Sequence, residues 1–185
     1  MPNPFPTFPL FADPVAEQSF KRSRKKCDCC AKSRGWIYTC SMYGPGDNDH
    51  TLCPWCIADG SAARKFKVSF QQATIFPIAK GSPKLSRSDA DLVEHRTPGF
   101  VTWQDHGWFI CCGRACIYIG EASSKDLAGK WASAVPSMFK GPGLKEWSEQ
   151  DKANLVKSFR RRGSPAAYIF KCQVCSKLQG FWDCD

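Results

Sequence analysis

Cys27-x2-Cys30-x-Lys32-x2-Gly35-Trp36, near the start of the chain, returns at its end as Cys172-x2-Cys175-x-Lys177-x2-Gly180-Phe181. Cysteine, lysine, glycine and aromatic all stand in register. Two thiolates three positions apart on a tight turn can both reach one ion at about 2.3 Å, and a following glycine lets the chain turn back into a strand. Each copy therefore reads as a knuckle, which supplies half of a tetrahedral site. The missing halves are Cys53-Pro54-Trp55-Cys56 and Cys112-Gly113-Arg114-Ala115-Cys116. Both end in Cys-Ile, and each follows an Asp-His pair, Asp49-His50 and Asp105-His106. The expected ligands are Cys27, Cys30, Cys53 and Cys56 for one zinc ion and Cys112, Cys116, Cys172 and Cys175 for a second. The second set lists its halves in reverse order, as a permuted duplicate would. The register excludes Cys29, which aligns with Val174. Cys29, Cys40, Cys111 and Cys184 are expected as reduced thiols, with a reactive Cys29 thiolate beside Lys25 and Lys26 as the alternative.

Twelve cysteines in 185 residues fall short of the density of a disulfide scaffold, and they pair at metal spacing, which favours a reducing compartment. No apolar stretch approaches a membrane span, and the N-terminus carries neither a basic leader nor an apolar core of a signal peptide. A cytoplasmic protein used at full length is expected. The net charge of +9 is local. Lys21, Arg22, Arg24, Lys25 and Lys26 supply five positive charges and Arg160, Arg161 and Arg162 three, so one remains for the rest. Such runs can track phosphates, but a solvated segment beside a thiolate-rich metal site has the same composition.

The spacing predicts an α+β protein of small strands and two zinc ribbons with several peripheral helices. Residues 1–20 form an extended arm, since Pro2, Pro4, Pro6, Pro9 and Pro14 forbid a helix while Phe5, Phe8 and Phe11 favour packing on the body. Residues 21–80 form a first ribbon module and 81–185 a second with two inserted helices, the two joined as one unit. Within them, Gly35–Tyr43 reads as a strand, Ile57–Phe70 as a helix and Gln71–Leu85 as a crossover. Ser88–His95 reads as a short helix, and Ile117–Ile119 and Ala167–Phe170 as strands. Ser124–Ala134 is predicted as a helix closed by Pro136. Ser148–Arg162 is predicted as a helix capped by Ser148-x-x-Asp151, with Leu155 and Phe159 inward and the three arginines on its last turn.

The segment Leu52-Cys-Pro-Trp-Cys-Ile-Ala-Asp-Gly-Ser-Ala-Ala-Arg-Lys-Phe66 resembles the most distinctive stretch of the CbrC family of bacterial colicin-tolerance proteins. Asp13-Pro14, Cys27-x-Cys29-Cys30 with Arg34-Gly35-Trp36-Ile37-Tyr38, Arg96-Thr97-Pro98-Gly99-Phe100, Trp103-Gln104 and Cys112-Gly113-x2-Cys116 with Gly120 agree in order. The resemblance runs from about Phe8 onward. It departs at Cys111, where many relatives carry histidine, leaving the second ligand set open there, and over Ser137–Pro165, which has no clear counterpart. It implies an association with tolerance to nuclease-type bacteriocins, no catalytic activity, and only the eight cysteines as inherited site residues.

The leading reading is a non-enzymatic zinc-binding protein with two structural ions. It would present the surface around Trp55, Trp103 and the arm to a protein partner, a nuclease-type toxin being the partner the resemblance suggests. The alternative is nucleic-acid binding through Lys21, Arg22, Arg24, Lys25, Lys26, Arg160, Arg161 and Arg162, with Trp36 or Phe181 stacking on bases. A third is thiol-redox chemistry at Cys53 and Cys56. The chain has no His-x-Glu or His-Glu-x-x-His motif, and His50, His95 and His106 are expected as turn or surface residues.

Overall fold

In the strand Ala166–Lys171 five consecutive residues are buried, so both of its faces must be covered. The computed structural model describes residues 4–72, 85–104, 107–141 and 143–185. In chain order its elements begin with β1 (Phe20–Arg22), β2 (Trp36–Tyr38), α1 (Pro54–Ala58), α2 (Ser61–Phe66) and α3 (Arg87–Arg96). There follow β3 (Ile110–Cys111), β4 (Arg114–Ala115), β5 (Ile117–Ala122), α4 (Ser124–Ala128), a 3-10 turn (Ala132–Ala134) and α5 (Val135–Met138). The chain closes with α6 (Glu149–Ser158), β6 (Ala166–Lys171) and β7 (Leu178–Asp183).

Antiparallel pairing makes two small hairpins, β1–β2 and β3–β4, and a three-stranded sheet ordered β5–β6–β7. Strand alternation divides β6 between two cores. Ala166, Tyr168 and Phe170 join Phe100, Trp108 and Tyr118 in a core that also takes Phe8, Leu10 and Phe11 from the arm and Cys27, Cys53, Cys56 and Cys172 from the knuckles. Ala167 and Ile169 face the other way, against Leu127, Trp131, Met138 and Phe159 of the helical layer.

The arm is part of the sheet's edge. Tyr118 N–H donates to Leu10 O (2.8 Å) and Ala12 N–H to Tyr118 O (2.9 Å), while Phe11 lies edge-on to the Tyr118 ring. Farther back, the Trp55 indole N–H donates to Pro4 O, and Phe5 packs between Trp36 and Trp55.

Three expected helices are shorter or broken. Ile57–Phe70 is interrupted at Gly60, whose positive φ of 73° ends α1 and starts α2. Ser124–Ala134 stops at Gly129, and Pro136, expected to close it, lies in the first turn of α5, where its missing N–H costs nothing. Ser148–Arg162 ends at Ser158 because Phe159 turns extended and inserts its ring into the helical-layer core. Burying that ring contributes about 2–3 kcal/mol. The Arg161–Asp126 pair, long at 3.6 Å and with its arginine half in solvent, contributes under about 1 kcal/mol, so the phenylalanine docks this segment. Of Gly35–Tyr43, only Trp36–Tyr38 is strand. Residues 73–84, which hold the expected crossover and module boundary, lie outside the described residues.

Candidate metal centres

Both knuckles adopt one geometry. Cys27 N–H donates to Lys32 O (3.0 Å), Ala31 N–H returns to Cys27 O (2.7 Å), and Ala31 takes a φ of 57°. At the other end of the chain Cys172 N–H donates to Lys177 O (2.9 Å), Ser176 N–H returns to Cys172 O (3.2 Å), and Ser176 takes a φ of 59°. The turn thus places its left-handed residue one position after the second cysteine. The glycines are not equivalent: Gly35 has a φ of 80°, whereas Gly180 is a β7 residue where a Cβ would meet Ile169 Cδ1 at 2.9 Å.

The structure brings Cys27, Cys30, Cys53 and Cys56 together, their sulfurs all within 4.8 Å of one another. Cys53 precedes α1, whose first residue is Pro54, and one helical turn carries Cys56 round to the same side. Cys30 Sγ and Cys53 Sγ are 3.9 Å apart, close to the roughly 3.8 Å edge of a tetrahedron with 2.3 Å metal–sulfur bonds. The Cys53 N–H donates to Cys27 Sγ at 3.2 Å, and the Lys65 ammonium holds Asp28 O at 2.7 Å and Cys29 O at 3.2 Å. Cys29 itself points away, with its sulfur 3.5 Å from Ser61 Oγ.

The second set is Cys111, Cys112, Cys172 and Cys175. Cys111 Sγ lies 3.9 Å from Cys112 Sγ and 3.8 Å from Cys175 Sγ. Cys116, expected as a ligand, is a correction: it lies outside this set, fully buried, where its sulfur accepts from the Gln179 amide and its carbonyl from the Trp108 indole (2.7 Å). The cause is the β3–β4 hairpin. Cys112 and Gly113 form its two-residue turn, with φ of 52° and 72°, and Cys111 pairs with Arg114. Both cysteines at the tip reach Cys172 and Cys175, and Cys116 is carried back into the core. The signal was in the sequence: a Cys-Gly turn between short apolar runs fixes that register.

Asp89, buried at the N-terminus of α3, clamps the hairpin. Its carboxylate accepts from Arg114 Nε (2.7 Å) and Nη2 (3.1 Å) and from Ala115 N–H (3.2 Å). The Arg114 side chain holds the Asp89 carboxyl below the usual carboxylate range.

Hydrogen bonding from Cys53 and from backbone N–H groups brings Cys27 down to about 4, while that same shared proton raises Cys53 and burial pushes Cys56 up to about 12. In the second set burial opposes ionisation of Cys172, but the N–H groups of Cys175 and Val174 outweigh it and hold the thiol at about 6; burial raises Cys111. Four thiolates held this close repel one another and need a cation among them. Each set offers four protein ligands, so either could hold a tetrahedral metal ion with its coordination complete.

Among the described residues these are the two groups of His, Cys, Asp or Glu placed to bind metal. His50 stacks on Phe66 and His95 pairs with Asp91 on α3; Asp105 and His106 lie outside the described residues. Trp55 is packed under the arm, whereas Trp103 is 49% exposed. The basic candidates separate. Lys21, Arg22, Arg24, Lys25 and Lys26 are exposed beside the first knuckle. Arg160 to Arg162 follow α6 and do not form its last turn. There Arg162 N–H donates to Glu121 (2.6 Å) and Arg161 approaches Asp126. Trp36 is covered by Arg22, and Phe181 stacks on Tyr168, so neither offers a free face to a base.

Small antiparallel sheets, short helices and two closed four-thiol sets define an α+β protein assembled on paired cysteine knuckles. The chain belongs to the uncharacterised protein family UPF0167, whose model matches residues 5–184. It is 34% identical over 190 residues to the UPF0167 protein PA1536 of Pseudomonas aeruginosa, covering 98% of this chain and 97% of that one. It is 29% identical over 179 residues to the UPF0167 protein Mb2317 of Mycobacterium bovis, covering 94% and 90%. No solved structure matches the chain.

Proposed function

We propose that both four-cysteine sets hold zinc, that the ions are structural, and that the protein acts without catalysis by binding a protein partner in the cytoplasm. The closure of both sets by four cysteines carries this reading. All-thiolate sulfur at tetrahedral spacing suits zinc, and a site with four protein ligands keeps no position for an activated water. Eight cysteines kept as metal thiolates and four as thiols fit a reducing compartment. The partner surface is reduced from the one first expected, because the arm covers Trp55. What remains is the strip of Val101, Trp103 and Tyr43, 70%, 49% and 37% exposed, which borders one cleft of about 380 Å³. The resemblance to colicin-tolerance proteins supplies the partner class, a nuclease-type toxin.

Zinc content of natively purified protein, measured by mass spectrometry with thiols counted before and after chelation, tests the metal reading. Two zinc ions per chain and eight thiols released by chelator support it. One ion or none, with a disulfide within Cys53–Cys56 or Cys172–Cys175, would sink it in favour of thiol-redox chemistry. For the partner, calorimetric titration with a nuclease colicin domain should show binding that Trp103→Ala weakens at least tenfold, and no heat of binding would remove that partner.

A further inference from the structure

The two basic runs of this chain have different fates, and the one after α6 is partly engaged within the fold. Arg161 and Arg162 are tied to Asp126, Glu121 and Ala16. The run before the first knuckle forms one side of a ribbon. Arg22 pairs with Trp36, Ser23 N–H donates to Gly35 O (3.1 Å), Ser33 Oγ to Arg24 O (2.9 Å), and Cys27 N–H to Lys32 O (3.0 Å). The return side adds Lys32 and Arg34, so the ribbon 20–38 bears seven cations against one acid, Asp28, whose carboxylate is turned to Thr51 N–H (2.7 Å). Among the described residues none of the seven forms an ion pair. Four thiolates around a divalent ion would add a net −2, which still leaves a surplus of four positive charges.

Two of the cations are held in place. The Arg22 guanidinium lies 4.1 Å over Trp36 and that of Arg34 5.2 Å over Trp55, and both indoles pack on Phe5, at 5.3 and 6.2 Å. Arginine, aromatic, phenylalanine, aromatic and arginine form one row. Planar guanidinium groups fixed in this way suit phosphate oxygens and lose little freedom on binding. Each guanidinium lies over an indole face that a base would otherwise stack on, which favours phosphate contacts over base stacking. Fully extended, the five steps from Arg22 to Cys27 span at most about 17 Å, a length over which a duplex presents about ten phosphates.

We propose that the ribbon around the first knuckle binds nucleic acid by tracking the phosphate backbone, without reading sequence. About four phosphate contacts give a slope of log K against log salt near −3.6 on duplex DNA, a loss of about 150-fold between 50 and 200 mM salt. The test is fluorescence anisotropy of metal-loaded protein with a labelled 20-base-pair duplex and a 20-nucleotide single strand of unrelated sequences. Arg24→Gln/Lys25→Gln/Lys26→Gln should weaken binding at least tenfold at 50 mM salt and flatten the slope by about 2.7. The charge-matched Lys140→Gln/Lys145→Gln/Lys157→Gln should weaken it less than threefold. Equal losses in the two variants would mean that net charge alone is at work, and would overturn the site. A wild-type dissociation constant weaker than about 100 μM at 50 mM salt, or a flat salt slope, would overturn the binding itself, independently of either variant.

Discussion

At Cys112 the backbone takes a positive φ that few non-glycine residues adopt, and this one torsion decides which thiol completes the second set. Cys111→Ser should lower the metal content from two ions per chain to one, whereas Cys116→Ala should keep both and cost about 1–2 kcal/mol as a small core truncation, read by metal analysis and urea unfolding. The first set was legible residue by residue, because its two halves are local pairs of fixed spacing. The second was legible except at this position, because treating Cys112 and Cys116 as a local pair ignored the hairpin turn between them. Asp126 shows another effect at the same scale. Its carboxylate accepts from Ser123 N–H and Oγ in a capping box, and with help from Lys130 these overcome burial and hold it at about 2. A depressed carboxyl stabilises the fold above its unfolded value of about 3.9 and ceases to do so as pH falls through the folded value. Asp126→Asn should therefore lower stability by about 1 kcal/mol from pH 8 to 5. The gap in urea midpoint should close between about pH 4 and 2.

Elements meet here through a few short polar contacts. The strands β5 and β6 and the helix α3 could be read from their apolar patterns, since local periodicity governed them. The expected helices could not be bounded that way: glycines at Gly60 and Gly129 end two of them through the backbone, and the inward Phe159 ends the third for a tertiary reason. The Arg96–Phe100 segment is a joint between α3, the first hairpin and the main core. Arg96 Nε donates to Ala58 O, Gly99 N–H to Tyr38 Oη, and Phe100 stacks on Tyr118 at 3.8 Å. A Cβ at Gly99 would sit 2.6 Å from Tyr38 Oη and 3.1 Å from Phe70 O. Gly99→Ala should cost about 1–3 kcal/mol in chemical denaturation while leaving metal content unchanged. The Asp89 clamp joins α3 to the second metal hairpin, and Asp89→Ala leaves Arg114 and the Ala115 N–H without it. A loss of about 2 kcal/mol is expected, together with faster release of one ion but not the other to a colorimetric chelator.

Cys27, Cys53, Cys56 and Cys172 all belong to the main core, so on the zinc reading proposed above the loss of an ion would disturb that core directly. Apparent binding energies of structural zinc, about 10–16 kcal/mol, equal or exceed the whole stability of an ordinary domain, about 5–15 kcal/mol. Stripping the metal at neutral pH should abolish the near-ultraviolet circular dichroism of the buried Trp108 and Tyr168, and readdition of zinc should restore it. The arm's packing was foreseeable from its phenylalanines, but its place on the edge of β5 was not, since no local pattern encodes a contact made across more than a hundred residues. That same long reach sets an order of events during synthesis. The first thiol set is complete once residue 56 has left the ribosome; the second must wait for residue 175, about 6 to 24 s later at ordinary elongation rates. Through the second half of that interval Cys111 and Cys112 are made but lack their partners, and throughout it Leu10 and Phe11 have no completed sheet to close. On the zinc reading proposed above, the nascent chain would capture its two ions in succession, with the end synthesised first among the last to settle.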